Sequence, residues 1–228
     1  MKPDETDLSF HDGHRGRLRQ KFLDGHLADY ELLELLLSYA IPRRDVRPLA
    51  RGLVKQFGGI YQIISAPIDD LMKYRGVGQN TAIFLKAIAQ LMIIGCKFQL
   101  TSGPIFHDDQ ALRNYCVLQL IGKTDEEFHV LYLDKNLRLL MDELHSTGSI
   151  DWSPVFPRKI LKNALDLNAR SVVLLHNHPT PHTTFSQQDA EITTTIQNIL
   201  NQCEIELYDH FLVSGGILYS ARNMFILK

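Results

Sequence analysis

Apolar residues recur along this chain in two rhythms, and the change from one to the other divides it. Over the first hundred residues the rhythm is helical. YELLELLLSYA carries leucines around most of its circumference, which predicts a helix at the centre of a small bundle with Asp29 as its N-cap. Pro48 opens the next helix, LARGLVKQF, and Gly58-Gly59 end it, while IYQIISA, bounded by Pro67, is a short one. DDLMKYRGVGQNTAIFLKAIAQL then reads as helix, tight Gly-Val-Gly turn and helix. KFQLTSGPIFHDD (Lys97 to Asp109) is punctuated by Ser, Gly and Pro and reads as a linker, with the boundary near residue 103. Beyond it, strand-like runs at FHVLYLD, RLLMDELHST, SVVLL, EIELYDHFLV and ILYS are interleaved with helices at ALRNYCVLQL, at PRKILKNALDLN and from Ser186. Adjacent strands among helices point to an α+β fold and away from a doubly wound parallel sheet. The expected domains are an all-α one over 1–100 and a mixed α/β one over 104–228.

Composition narrows the class. With 228 residues, 45% of them apolar and 22% charged, the chain is long enough for two hydrophobic cores. The densest apolar run, ELLELLLSYAI, is broken by glutamates and ended by Pro42, which fits a buried helix and gives no membrane partner. The start, MKPDETDLSF, lacks a basic region followed by an apolar core, so no secretory signal is expected. Cys96, Cys116 and Cys203 are scattered, which fits a reducing cytoplasm and gives no thiolate pair for a metal.

The net charge of -2 is unevenly spread. Residues 1–100 carry 14 Lys and Arg against 11 Asp and Glu, and residues 101–228 carry 10 against 15. HRGRLRQK and PRRDVR concentrate the positive side chains. The glycine turn resembles a helix-hairpin-helix element, in which Lys73, Arg75 and the amides of Gly76 and Gly78 would meet a phosphate backbone without reading bases. Helix pairs with a glycine turn are also common in helical domains that bind nothing, so DNA stands as an alternative partner.

The strongest chemistry lies in HNHPTPHTTFSQQD, from His176 to Asp189. His176 and His178 leave the SVVLL strand on one face, because residues two apart share a face, while Asn177 points away. Ser186 opens a helix with a Ser-x-x-Asp start, placing Asp189 in its first turn, and Pro179 and Pro181 stiffen the loop between. Two imidazoles and one carboxylate are a three-ligand set suited to catalytic zinc with a fourth position for water. His182 reads as an exposed loop residue, and His129 and His145 as structural. Asp209 and His210 form a possible carboxylate-histidine pair of the kind that orients ligands.

H-x-H, seven residues and S-x-x-D resembles the JAMM motif of MPN (JAB) domains, and His176, His178, Ser186 and Asp189 match its positions. STGSIDWSPVFPRKILKNALDLN, HNHP and YDHFLVSGG narrow the resemblance to the RadC-like family, over nearly the whole chain. It implies a curved β-sheet flanked by helices behind a helical N-terminal domain. It also implies one zinc per chain on the two histidines and the aspartate, a serine that bonds the oxyanion, and an upstream glutamate that takes a proton from zinc-bound water. Glu127 is the best match for that glutamate because a strand follows it at once; Glu126 is second and Glu143 third. The implied activity is zinc-dependent cleavage of amide or isopeptide bonds in a protein or peptide. A DNA-associated repair or recombination role with a regulatory zinc site is the alternative, and phosphodiester hydrolysis ranks last. The loop after HNHP departs from the family's usual Ser-Gly-Asp-Pro, with Thr180, Pro181, His182 and Thr183 in its place.

Overall fold

The computed structural model describes residues 5–102, 110–148, 155–180, 182–224 and 226–227, with side chains from residue 13 onward. The chain divides into two compact units, Met1–Ala89 and Gln90–Lys228. The first holds α1 (Glu5–Leu23), α2 (Asp29–Ala40), α3 (Arg47–Phe57), α4 (Ile60–Ser65), α5 (Ile68–Lys73) and the start of α6 (Gln79–Ser102). Leu33 and Leu37 of α2 are fully buried among Leu53, Ile63, Leu71 and Leu85, so α2 is the central helix. Its cap lies one residue earlier than expected. Asp29 is already helical, and the Ala28 N–H donates to the Glu31 carboxylate at 3.1 Å. α3 ends on Gly58 at φ 96°, a left-handed turn that glycine enters without strain.

α6 changes the picture of the linker. It continues through Ser102, so Lys97–Ser102 is helical, and the division between units falls inside this helix. The expected boundary near residue 103 and the rest of the linker, 103–109, lie outside the described residues. Ala82 and Leu85 join the core of the first unit and Leu100 that of the second. By length and composition alone, α6 is long and apolar enough to cross a membrane. Lys86, in its middle, donates to the carbonyls of Ser65 and Ala66 at 3.0 and 3.1 Å.

After α6, the second unit holds α7 (Gln110–Leu120), β1 (Glu126–Leu133), β2 (Leu139–Gly148), α8 (Pro157–Asp166), β3 (Ser171–His178), α9 (Gln187–Asn201), β4 (Glu206–Ser214) and β5 (Ile217–Ser220). The sheet order is β2-β1-β3-β4-β5. Only β3 and β4 run parallel, joined by α9 as the crossover, and the other pairs are antiparallel. This is the expected α+β arrangement.

Both faces of the sheet are covered, and each has its own core. Phe128, Val130 and Tyr132 of β1 and Val172 and Leu174 of β3 pack with α8 and α9. Leu131, Leu133, Val173 and Leu175 pack with α7 on the other face. Burial on both sides explains why β3 reads as a continuous apolar run instead of an alternating one. β4 changes face at an irregularity between the pairs Val172↔Leu207 and Val173↔Asp209. Leu207 therefore joins the α8/α9 core, while Phe211 and Val213 join the α7 core.

Candidate metal centre

The candidate centre forms where β3 runs out. His176 and His178 continue the face of Val172 and Leu174, and Phe128 lies opposite His176 across the β1–β3 ladder. Their Nε2 atoms stand 3.2 Å apart. Asp189 closes the group, with Oδ1 3.6 Å from His176 Nε2 and Oδ2 3.7 Å from His178 Nε2. One donor atom from each residue lies within 4.8 Å of the others, so the three could hold a metal ion together.

Asp189 is positioned by the helix it begins. Ser186 is the N-cap of α9, and its Oγ accepts from the Asp189 N–H at 3.1 Å. In return, Asp189 Oδ2 accepts from the Ser186 N–H and hydroxyl, both at 2.7 Å. This reciprocal cap satisfies donors that a helix start otherwise leaves open. Oδ1 is left to face His176.

β1 supplies a second carboxylate, and here the expectation is corrected. Glu126 shares the face of Phe128 and lines the groove with His178, Ser186 and Asp189. Burial raises its pKa, the two imidazoles counter the rise, and Asp189 adds to it. Glu127, the residue expected to be the base, lies on the opposite face. Its carboxylate bonds Lys123 Nζ at 2.8 Å and His129 Nε2 at 3.1 Å. Adjacent strand residues point to opposite sides, so only one of the two can approach the histidines. Glu143 is held elsewhere, by Tyr132, Lys159 and Asn163.

Residues 106–225 match the family described as the RadC-like JAB domain, more than half of the chain. The chain belongs to that family. A UPF0758 protein of Ruegeria pomeroyi is 36% identical to it over 212 residues, covering 92% of this chain and 95% of that relative.

The RadC-like JAB domain also holds its histidines from behind. His178 Nδ1 lies 3.3 Å from the carbonyl oxygen of His182, which can only accept, so the proton belongs on Nδ1 and Nε2 turns to the cluster. His182 thus acts through its backbone. His176 Nδ1 meets His210 Nε2 at 2.8 Å, and His210 Nδ1 meets Thr193 Oγ1 at 2.6 Å. Asp209 is not the partner expected for His210. Its carboxylate is occupied by Ser220, the Arg222 N–H and the His210 N–H, while the His210 ring lies on the metal face.

The charges agree with the geometry. Burial would raise the Asp189 carboxyl, but bonding to His176, His178 and Ser186 outweighs it and holds the group far below the carboxylate range. The Asp189 bond raises His178, against burial. Complete burial drives His210 well below the imidazole range. Two nitrogen donors and an anionic oxygen converging on one point suit a divalent cation.

The site opens into a groove of about 740 Å³. Phe128, Val155, Phe156, Phe185 and Ile192 give it apolar walls, and Thr180, Gln188 and Thr195 add polar ones. Pro181 lies outside the described residues, as do residues 149–154 of the stretch that carried the family resemblance.

In the first unit, Lys73, Arg75 and Gly76 line one cleft of about 890 Å³ with Arg44. Asp45 and Asp70 share it, and Lys73 is bonded to Asp70 at 2.7 Å. Gly76 takes φ 101°, as the tight turn requires. Gly78 follows it, with nothing within 4 Å of where a Cβ would stand.

Proposed function

We propose that the JAB unit is a zinc-dependent hydrolase that cleaves amide or isopeptide bonds in a protein or peptide substrate. The observation that carries this reading is the convergence of His176, His178 and Asp189 donor atoms at the end of a groove that Glu126 also lines. Two imidazoles and one carboxylate are a catalytic zinc set, one ligand short of the closed tetrahedron of structural sites. Zinc bound there would polarise the scissile carbonyl and acidify water.

The chain's own residues do the rest. Glu126 accepts the proton of the attacking water and returns it to the leaving amine, a task suited to a carboxylate whose pKa burial raises. Ser186 lines the groove, and its hydroxyl, which donates to Asp189 in the helix cap, turns to donate to the developing oxyanion. The apolar walls carry the substrate chain and keep bulk water from the bond being cut.

The test is metal analysis and peptide and isopeptide hydrolysis by the purified full chain, beside a His178→Ala, Asp189→Ala double variant. One zinc per chain, lost together with hydrolysis in the variant, is the expected result. Stoichiometric zinc with no cleavage across a peptide library would overturn the hydrolase assignment.

A further inference from the structure

A path of hydrogen bonds leads from Asp189 back to His176, and the atoms along it fix where each proton sits as far as His176 Nδ1. Thr193 lies one turn after Asp189 in α9, and its hydroxyl donates to the Asp189 carbonyl oxygen. A carbonyl can only accept, so the single hydroxyl proton is committed there. Thr193 Oγ1 must then accept from His210 Nδ1, 2.6 Å away. His210 is fully buried, and among the described residues no carboxylate bonds its ring, so it stays neutral. A neutral imidazole with hydrogen on Nδ1 has none on Nε2. His210 Nε2 therefore accepts from His176 Nδ1 at 2.8 Å. In the neutral His176 ring the other nitrogen, Nε2, is then bare, and it is the atom that faces His178 and Asp189.

We propose that Thr193 and His210 are positioning residues that hold His176 as its Nδ1–H tautomer, so that Nε2 is available to a metal ion before any ion arrives. This deepens the reading of His176 as a ligand and rests on it. Neither residue touches the groove or reacting atoms. Their effect passes through the imidazole, as the partners behind metal-bound histidines commonly act. The path begins on the backbone of Asp189 and ends on the ring of His176, so two of the three donors are tied together without the metal.

The experiment uses full-length protein with ¹⁵N-labelled histidine. In the metal-free wild type, two-bond ¹⁵N–¹H correlation should show His176 protonated at Nδ1 and bare at Nε2. Thr193→Val keeps the shape and removes the hydroxyl. It should let His210 and His176 exchange tautomers and weaken zinc binding, read by competition with a chromophoric chelator, roughly 10- to 100-fold. Thr193→Ser should restore both. His176 protonated at Nε2 in the wild type, or a folded Thr193→Val protein with unchanged tautomer and zinc affinity, would overturn the proposal. A wild type with the expected tautomer but no zinc uptake would support the relay and count against the metal reading alone.

Discussion

At the scale of single residues, the centre depends on which of two adjacent glutamates faces it. β1 is buried on both sides, with Phe128, Val130 and Tyr132 in one core and Leu131 and Leu133 in the other. The alternation of faces was plain in the sequence, but nothing in EEFHVLYL said which face would meet the histidines. The pairing of Phe128 with His176 settles it, and such a long-range register is absent from a local pattern. Glu126→Gln should therefore cut hydrolysis about 100-fold or more while leaving bound zinc unchanged. Glu127→Gln should leave turnover within a few-fold of wild type. Metal analysis and initial rates on the same preparations check the pair, and the opposite order would return the base to Glu127. Asp209 and His210 teach the same lesson: an irregularity in the β3–β4 register, invisible in YDHFLV, decides which neighbour turns toward His176.

At the scale of elements, most helices and strands were readable because their local signals agree: Pro48 and Gly58 bracket α3, Ser186 caps α9, and apolar runs mark the strands. The end of α6 is hidden in the sequence because Thr101-Ser102-Gly103 looks like loop punctuation, whereas Leu100 is buried and holds the last turn in helix. Between α7 and the sheet lies a buried polar chain that local patterns did not suggest. Tyr115 donates to Asp142 at 2.5 Å, Asp142 bonds His129 Nδ1 at 2.8 Å, and His129 Nε2 meets Glu127. Burial opposes charge on both His129 and Asp142, but their mutual bond prevails, raising the histidine and lowering the aspartate. The aspartate's contribution is present above its ordinary pKa of 3.8 and is lost as pH falls through its lowered value. The histidine's is complete below its ordinary 6.5 and is lost as pH rises through its raised value. Both are in force between those ordinary values. Denaturant unfolding at pH 5.5 should show His129→Gln destabilised by about 3–5 kcal/mol, and the gap to wild type should narrow as pH rises past the histidine's raised pKa. A gap that does not change with pH would mean the ring serves only as packing.

At the scale of the molecule, two compact units with separate buried cores predict two responses to ligand. All three candidate ligands lie in the second unit, so zinc held by them would stabilise that unit directly. At free zinc of 100 times Kd the linkage amounts to about 2.7 kcal/mol. Calorimetry of the full chain should therefore show zinc raising the transition of the JAB unit, by several degrees, with a smaller effect on that of the helical unit. Equal shifts in both would show that the two unfold as one cooperative block.

The Ser186–Asp189 cap also determines where this domain can tolerate change. Because Asp189 takes its place from the start of α9, the length and make-up of the loop from Pro179 to Phe185 do not set the carboxylate's position. The side chains of Thr180, His182 and Thr183 can thus depart from the family's usual loop without dislodging Asp189, whereas one residue inserted between Ser186 and Asp189 would break the helix start and the donor group at a stroke. The loop's side chains at Thr180, His182 and Thr183 are free to diverge with the substrate, and the three-residue step that follows the loop is not.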